Sequence, residues 1–230
     1  MNKIGWIIFS AVVVLLLGGL IAWTRLSNPS VDVSTINNNS VLAATPESGN
    51  IADHVEGKAD SKVLIVEYGD FQCPSCEGAY PNVKTLMEEY GDRVGLIFRN
   101  FPLTSIHPNA KAAAAAAESA GLQGKYWEMH DLLYGNQNSW KDLNTSQRTD
   151  AFVSFANQLN LDSIKFKADL SNADVTKKIN FDMTLGKAND ASATPTFYIN
   201  GEKLDETTAG GIVQGDLTAV KAKLDKLLAE

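Results

Sequence analysis

The chain has 230 residues and two cysteines, Cys73 and Cys76, with Pro74 and Ser75 between them. Two thiols at this spacing can close a small disulfide ring and pass an electron pair to or from another dithiol. The thiolate is the reactive form. If Cys73 stands at the start of a helix, unpaired N–H groups and the positive end of the helix dipole favour its ionisation. Each unit of pKa depression is ~1.4 kcal/mol in favour of thiolate. The same effect stabilises the reduced pair and makes the disulfide more oxidising, by ~30 mV for each ~1.4 kcal/mol. Cys76, one turn inside the helix, is expected to be more buried and less ionised. It would resolve a mixed disulfide formed at Cys73.

Other chemistries fit less well. A zinc site needs two further ligands, and the remaining candidates, His54, His107 and His130, have no paired spacing. A c-type haem site needs histidine directly after the second cysteine, where Glu77 stands. A purely structural disulfide here would be a weak staple, because so short a loop constrains the unfolded chain little. No metal or organic cofactor is expected.

The elements that would position the pair can be read around it. Lys62–Tyr68 (KVLIVEY) is an apolar, β-branched run suited to a buried strand. Gly69-Asp70-Phe71-Gln72 reads as a turn. After the cysteines, Ala79, Val83, Leu86/Met87 and Tyr90 recur at helical spacing, with Gly91 as a stop and Pro81 as an expected kink. Val94–Asn100 reads as a second strand. The middle of the chain, about 104–190, reads as entirely helical. His107-Pro108 would open it, and six alanines, Ala112–Ala117, carry high helix propensity. Thr145 or Ser146 would cap a later helix. Thr196–Ile199 returns to strand, and Asn200-Gly201 is a hairpin signal. Gly210-Gly211 reads as a turn, and Asp216–Leu228 as a last amphipathic helix. The order β-α-β, helical block, β-β-α describes an α/β sheet domain with a helical insertion.

Hydrophobic residues make up 44% of the chain and charged residues 20%, an ordinary globular composition. The net charge of −7 disfavours nucleic acid as a partner. Ile4–Trp23 is a 20-residue run without charge, ~30 Å long as a helix, with Trp6 and Trp23 near its ends. It reads as one N-terminal transmembrane helix, so residues 1–25 are expected to anchor the chain in a cell membrane. A cleaved signal peptide, leaving a secreted protein, is the alternative; signal h-regions are shorter, ~7–15 residues. No Lys or Arg occurs from Leu26 to Gly57, which suits the translocated side. Residues 26–50, rich in Ser, Asn, Thr and Pro, read as a flexible linker. Residues 51–230 would form the catalytic domain outside the cytoplasm, where disulfides persist.

The combination of VEYGDFQCPSC, NFPL, HPNA, GKYWEMHDLLYGNQ and ATPTFYING resembles the DsbA-like branch of the thioredoxin superfamily. More narrowly, it is similar to the membrane-anchored disulfide-forming oxidoreductases of Gram-positive and related bacteria. The resemblance covers about Lys58–Glu230. It implies a thioredoxin-like fold with an inserted helical subdomain. It makes Cys73 the attacking thiol and Cys76 the resolving one. It places Pro195 as a cis-proline facing the pair, with Thr194 before it offering backbone to substrate. It also makes Glu67 a buried acid beneath the site, able to move a proton to or from the buried thiol; a strand-end glutamate facing solvent is the plainer reading. The Pro74-Ser75 dipeptide lacks the histidine of the best-known oxidase, which leaves the redox direction open.

The expected function is therefore an extracytoplasmic thiol–disulfide oxidoreductase, an oxidase of exported protein and peptide thiols. The resemblance implies a quinone-linked membrane partner that re-oxidises it. A reductase or isomerase on the same fold is the alternative. From another class, a peptide-binding chaperone with a silent disulfide is a third reading.

Overall fold

The computed structural model describes residues 6, 9–19, 32, 33 and 36–230. Residues 9–19 are helical. Among the described residues no helix is long and apolar enough to cross a membrane. Of the anchor expected over residues 1–25, residues 1–5, 7, 8 and 20–25 lie outside them.

From Val33 to Glu230 the chain folds as one unit. Its centre is a five-stranded mixed sheet built from β1 (Val55–Gly57), β2 (Leu64–Gly69), β3 (Gly95–Asn100), β4 (Thr196–Ile199) and β5 (Glu202–Lys203), in the order β1-β3-β2-β4-β5. β2 and β3 are parallel, and the other pairs are antiparallel. A parallel pair needs a crossover, and α1 (Pro74–Tyr90) supplies it. Every residue of β2 and β3 is buried, which accounts for their largely apolar runs, Leu64–Val66 and Leu96–Phe98. α1 continues through Pro81 as one helix.

Alternation along β2 sends its side chains to two faces. Ile65 packs with Ala79, Val83 and Leu86 of α1, and with Ile212, Val220 and Leu224 of the two C-terminal helices, α8 (Glu206–Gln214) and α9 (Thr218–Ala229). Val66 and Tyr68 face the other way, onto Ile97, Phe101 and Tyr198. Glu67 shares the face of Ile65 and is therefore directed under α1. Between β3 and β4 lie six helices: α2 (Ala110–Gly121), α3 (Tyr126–Gly135), α4 (Gln137–Trp140), α5 (Thr145–Gln158), α6 (Ser163–Asp169) and α7 (Ala173–Ala188). Ala113, Ala114, Ala115, Ala116, Ala117 and Ala120 of α2 are buried with Met129, Leu133, Trp140 and Phe152. Small side chains let these helices approach closely. Gly186 of α7 lies so near the sheet that a Cβ there would sit 2.8 Å from Phe101 and 2.9 Å from Tyr68.

Several boundaries differ from expectation. α2 starts at Ala110, two residues after Pro108, and Asn109 at its N-cap position makes no side-chain capping hydrogen bond. Asn144, rather than Thr145 or Ser146, caps α5, accepting from the N–H groups of Ser146 and Gln147. Gly210-Gly211 is not a turn but the middle of α8, which Asp205 caps. Gly211 leaves room for the Asp216 carbonyl, which a Cβ there would approach to 2.6 Å; the chain turns at Gly215, at φ 87°. The hairpin at Asn200-Gly201 has both residues at positive φ, 49° and 78°, as its sequence predicts.

The linker expected over 26–50 is corrected over 36–50, which is fastened to the sheet. Asn38 Oδ1 accepts from Tyr68 Oη at 2.6 Å, Ser40 O accepts from Arg99 Nη2 at 3.1 Å, and Leu42 N donates to Asp53 Oδ2 at 3.0 Å. The physical reason is Arg99, which is fully buried in β3 and needs acceptors for its five donors. Polar residues that bind a buried guanidinium carry no apolar period, so they look like a tether.

Candidate active site

The strand β2 ends at Gly69, and the next four residues aim the cysteines. The buried Asp70 carboxylate organises this turn. Its Oδ1 accepts from Gln72 N at 2.8 Å, and its Oδ2 accepts from Leu103 N at 2.9 Å and meets His107 Nδ1 at 2.7 Å. Asp70 O accepts from Cys73 N at 3.0 Å. Cys73 is then the N-cap of α1 in extended conformation, and Pro74 follows at the first helical position, where its missing N–H costs nothing. The insertion holds the same turn from outside: Gln137 Nε2 donates to Phe71 O at 2.9 Å and Cys73 O at 3.2 Å.

Both cysteines are free thiols and both are buried. The Thr194–Pro195 bond is cis. The Cys73 thiol donates to Thr194 O at 3.4 Å and caps no backbone N–H. The thiolate is strongly favoured at this position. A hydrogen bond from the Cys76 side chain is the largest cause, and it outweighs burial. Once the sulfur is ionised, the Thr194 side chain and the N–H groups of Cys76 and Ser75 add to it as donors, so the Cys73 pKa falls from 9.0 to about 5. The helix N-terminus expected from sequence thus contributes, but the second thiol contributes more. The Thr194 hydroxyl is buried with no hydrogen-bond partner, free to turn toward an ionised sulfur. Cys76 is the opposite case. Burial first, then its hydrogen bond to Cys73 and the Glu67 charge, raise its pKa well above 9.0.

Glu67 is buried, 4% exposed, and pairs in register with Phe98 of β3 and Phe197 of β4. Burial, and then the Cys73 charge, push its carboxyl up to about 8. It is protonated at neutral pH. The solvent-facing alternative for Glu67 does not hold, because β2 is central and covered on both faces. A side chain at Gly69 would lie 2.3 Å from the Phe98 ring, so glycine lets that ring lie over the end of β2. Phe98, Phe71, Tyr134 and His130 form an aromatic group of tilted and edge-on ring contacts beside the cysteines. Burial lowers the pKa of His130 and keeps it neutral.

The three histidines go to separate places. His54 meets Glu118 at 2.9 Å, His107 meets Asp70, and His130 lies in the aromatic group. Among the described residues no three His, Cys, Asp or Glu side chains are placed to hold a metal ion.

Sequence reasoning missed Asp70, Gln72, Asn109 and Gln137 as site residues. The turn Gly69–Gln72 carried a signal for Asp70, since aspartate often caps its own turn. Gln137 had none, because its partners lie 64 and 66 residues away. It also missed a buried ion cluster under the sheet. Asp53 accepts from Arg99 Nη2 at 2.7 Å and Lys178 Nζ at 3.0 Å, and Lys178 reaches Asp182 at 2.7 Å.

The family model described as thioredoxin matches residues 49–213. BdbD from Bacillus subtilis, solved in oxidised form, aligns over 84% of this chain and 100% of its own, at 21% identity and TM-score 0.64. Alpha-DsbA1 from Wolbachia pipientis aligns over 77% of this chain and 91% of its own, at 24% identity and TM-score 0.63. A Na(+)/H(+) antiporter, NhaA 1 of Salinispora arenicola, is 38% identical over 151 residues. That stretch is 66% of this chain but only 22% of the antiporter, so the chain spans about a fifth of that relative. With its cysteines at the head of α1, its mixed sheet and its helical insertion, the chain has the fold of DsbA-like thiol–disulfide oxidoreductases and belongs to the thioredoxin family.

Proposed function

We propose that the chain is a thiol–disulfide oxidoreductase that introduces disulfides into exported polypeptides. The observation that carries this reading is the opposed ionisation of the two thiols, with Cys73 at about 5 and Cys76 well above 9.0. A reduced pair stabilised as the Cys73 thiolate makes the corresponding disulfide a stronger oxidant.

The cycle begins with the Cys73–Cys76 disulfide. A client thiolate attacks Cys73 Sγ, the S–S bond breaks, and its electron pair leaves on Cys76 sulfur. Glu67, protonated at neutral pH, is the nearby acid from which that buried sulfur takes a proton. A second client thiolate then attacks the client sulfur of the mixed disulfide. The client leaves with a new disulfide, and Cys73 leaves as a thiolate. Two electrons have moved from client to enzyme. The low Cys73 pKa makes it a good leaving group in this second step. The Thr194 backbone, hydrogen-bonded to Cys73, lies where a client segment would be held.

We place this domain outside the cytoplasm, tethered by the apolar segment Ile4–Trp23, with a quinone-linked membrane partner to restore the disulfide. The long stretch from Leu26 to Gly57 without Lys or Arg supports that orientation. The deciding experiment is the reduction potential of the Cys73–Cys76 couple in the full chain, by equilibration with glutathione. The expected value is well above ~−200 mV, toward the ~−120 mV of strong oxidants. A value near thioredoxin's ~−270 mV would instead make the protein a reductase.

A further inference from the structure

A cleft of about 610 Å³ opens beside the cysteines, with Gln72 and Pro74, the residues flanking Cys73, in its wall. Clefts of ~300–1,000 Å³ are typical of ligand sites. Its far wall is the first turn of α5 and the residues before it, including Lys141, Asp142 and Arg148.

The charge of this cleft runs against that of the protein. The chain carries −7, yet the cleft holds two cations, Lys141 and Arg148, against one carboxylate, Asp142. Three arginines lie among the described residues. Arg99 pairs with Asp53, and Arg93 pairs with Asp92. Arg148 has no carboxylate partner among the described residues. Its Nη1 donates to Asn109 Oδ1 at 2.5 Å, while its Nε is buried and makes no hydrogen bond. Asn109 is itself buried and fixed. Its N–H donates to Gln72 Oε1 at 2.7 Å, and its amide donates to Lys141 O and Leu143 O, both at 2.9 Å. Gln72 Nε2 completes the frame with a 2.8 Å bond to Lys141 O. A single rigid set of hydrogen bonds therefore runs from the residue before Cys73 to an uncompensated guanidinium. The positive end of α5 lies on the same wall.

We propose that this cleft binds a client segment carrying an aspartate or glutamate near its reactive cysteine, with Arg148 receiving the carboxylate. The proposal rests on the thiol-exchange reading above and adds a substrate preference to it. An arginine fork matches a carboxylate geometrically, and the frame that orients it is already made before binding. Lys141 adds charge without that geometry. The exposed Asp142 sets a limit by repelling acidic segments that approach from its side of the cleft.

The test uses the oxidised full-length protein and peptides with one cysteine, identical except for Asp, Asn or Lys at each of several flanking positions. The readout is the second-order rate of mixed-disulfide formation at low ionic strength. A flanking charge also alters the peptide thiol itself, so the Asp-to-Asn rate ratio is compared between wild type and Arg148→Gln, where that effect cancels. At the best flanking position the wild-type ratio should be about fivefold higher than that of the variant, as expected for a partly exposed ion pair. Arg148→Lys should keep part of the preference, and Arg148→Glu should turn it toward the Lys peptide. Equal ratios in wild type and Arg148→Gln at every position would overturn the proposal. Failure of every peptide to form a mixed disulfide would instead remove the thiol-exchange reading, and this inference with it.

Discussion

The Cys73 thiol lies 3.4 Å from the carbonyl oxygen of Thr194, a residue 121 positions later in the chain. The same threonine carries a buried hydroxyl with no partner. One residue thus presents an acceptor to the thiol and a donor to the thiolate. Removing the donor alone isolates its share. Thr194→Val should raise the Cys73 pKa by about one unit, since a hydrogen bond to a charged group contributes ~1.5–3 kcal/mol. Ultraviolet absorbance of the thiolate against pH measures this. An unmoved titration would show that the hydroxyl plays no part.

The two thiols should differ sharply toward alkylating agents. At pH 6 the reduced protein holds Cys73 mostly as thiolate and Cys76 as thiol. Brief iodoacetamide treatment followed by peptide mapping should place the label on Cys73. Labelling at Cys76 would reverse the roles assigned to the pair.

Redox state should alter stability in a pH-dependent way. The folded-state pKa of Cys73, about 5, is below its ordinary 9.0. A depressed pKa adds stability that is fully present above the unfolded value and lost as pH falls through the folded one. The disulfide form has no such group. The melting temperature of the reduced protein should therefore gain on the oxidised protein as pH rises from about 5 to 8. A gap that stays constant over this range would contradict the assigned shift.

Glu67 has the opposite sign. Its folded pKa, about 8, lies above the ordinary 4.5, so the folded state keeps a proton that the unfolded state has released. Stability is greatest below about 4.5 and declines as pH rises to about 8. Glu67→Gln removes that decline and should be more stable than wild type at pH 7, by up to about 3 kcal/mol, with the difference vanishing near pH 4. Release of Cys76 should meanwhile slow, and its pH profile should lose the inflection near 8. Denaturant unfolding and stopped-flow exchange test the two effects separately.

The ion cluster under the sheet should be intolerant of partial removal. Asp53 is buried between Arg99 and Lys178, and these hold its carboxyl down at about 2 against the opposing effect of burial. Asp53→Asn leaves the buried Arg99 without its carboxylate and Lys178 with Asp182 alone, and should cost about 3–5 kcal/mol. Urea unfolding gives the value. A loss below about 1 kcal/mol would mean that water reaches the cluster.

Much of this protein could be read from its order of residues, because the relevant forces act over short distances along the chain. The apolar runs of β2 and β3, the helical period after Cys76, the Asn200-Gly201 turn and the placement of Cys73 before Pro74 each depend on neighbours within a few residues. The helical character of the middle region is legible for the same reason. What the tertiary structure alone decided involves partners far apart. Gln137 holds the Cys73 carbonyl, Asn38 and Ser40 satisfy Arg99, and Arg148 is aimed at the site by Asn109. Gly211 sits within a helix where the Asp216 carbonyl, five residues on, comes too close for a side chain. A polar side chain shows its type in sequence, but its hydrogen-bond partner is set only when folding removes water and leaves that group one acceptor or donor within reach.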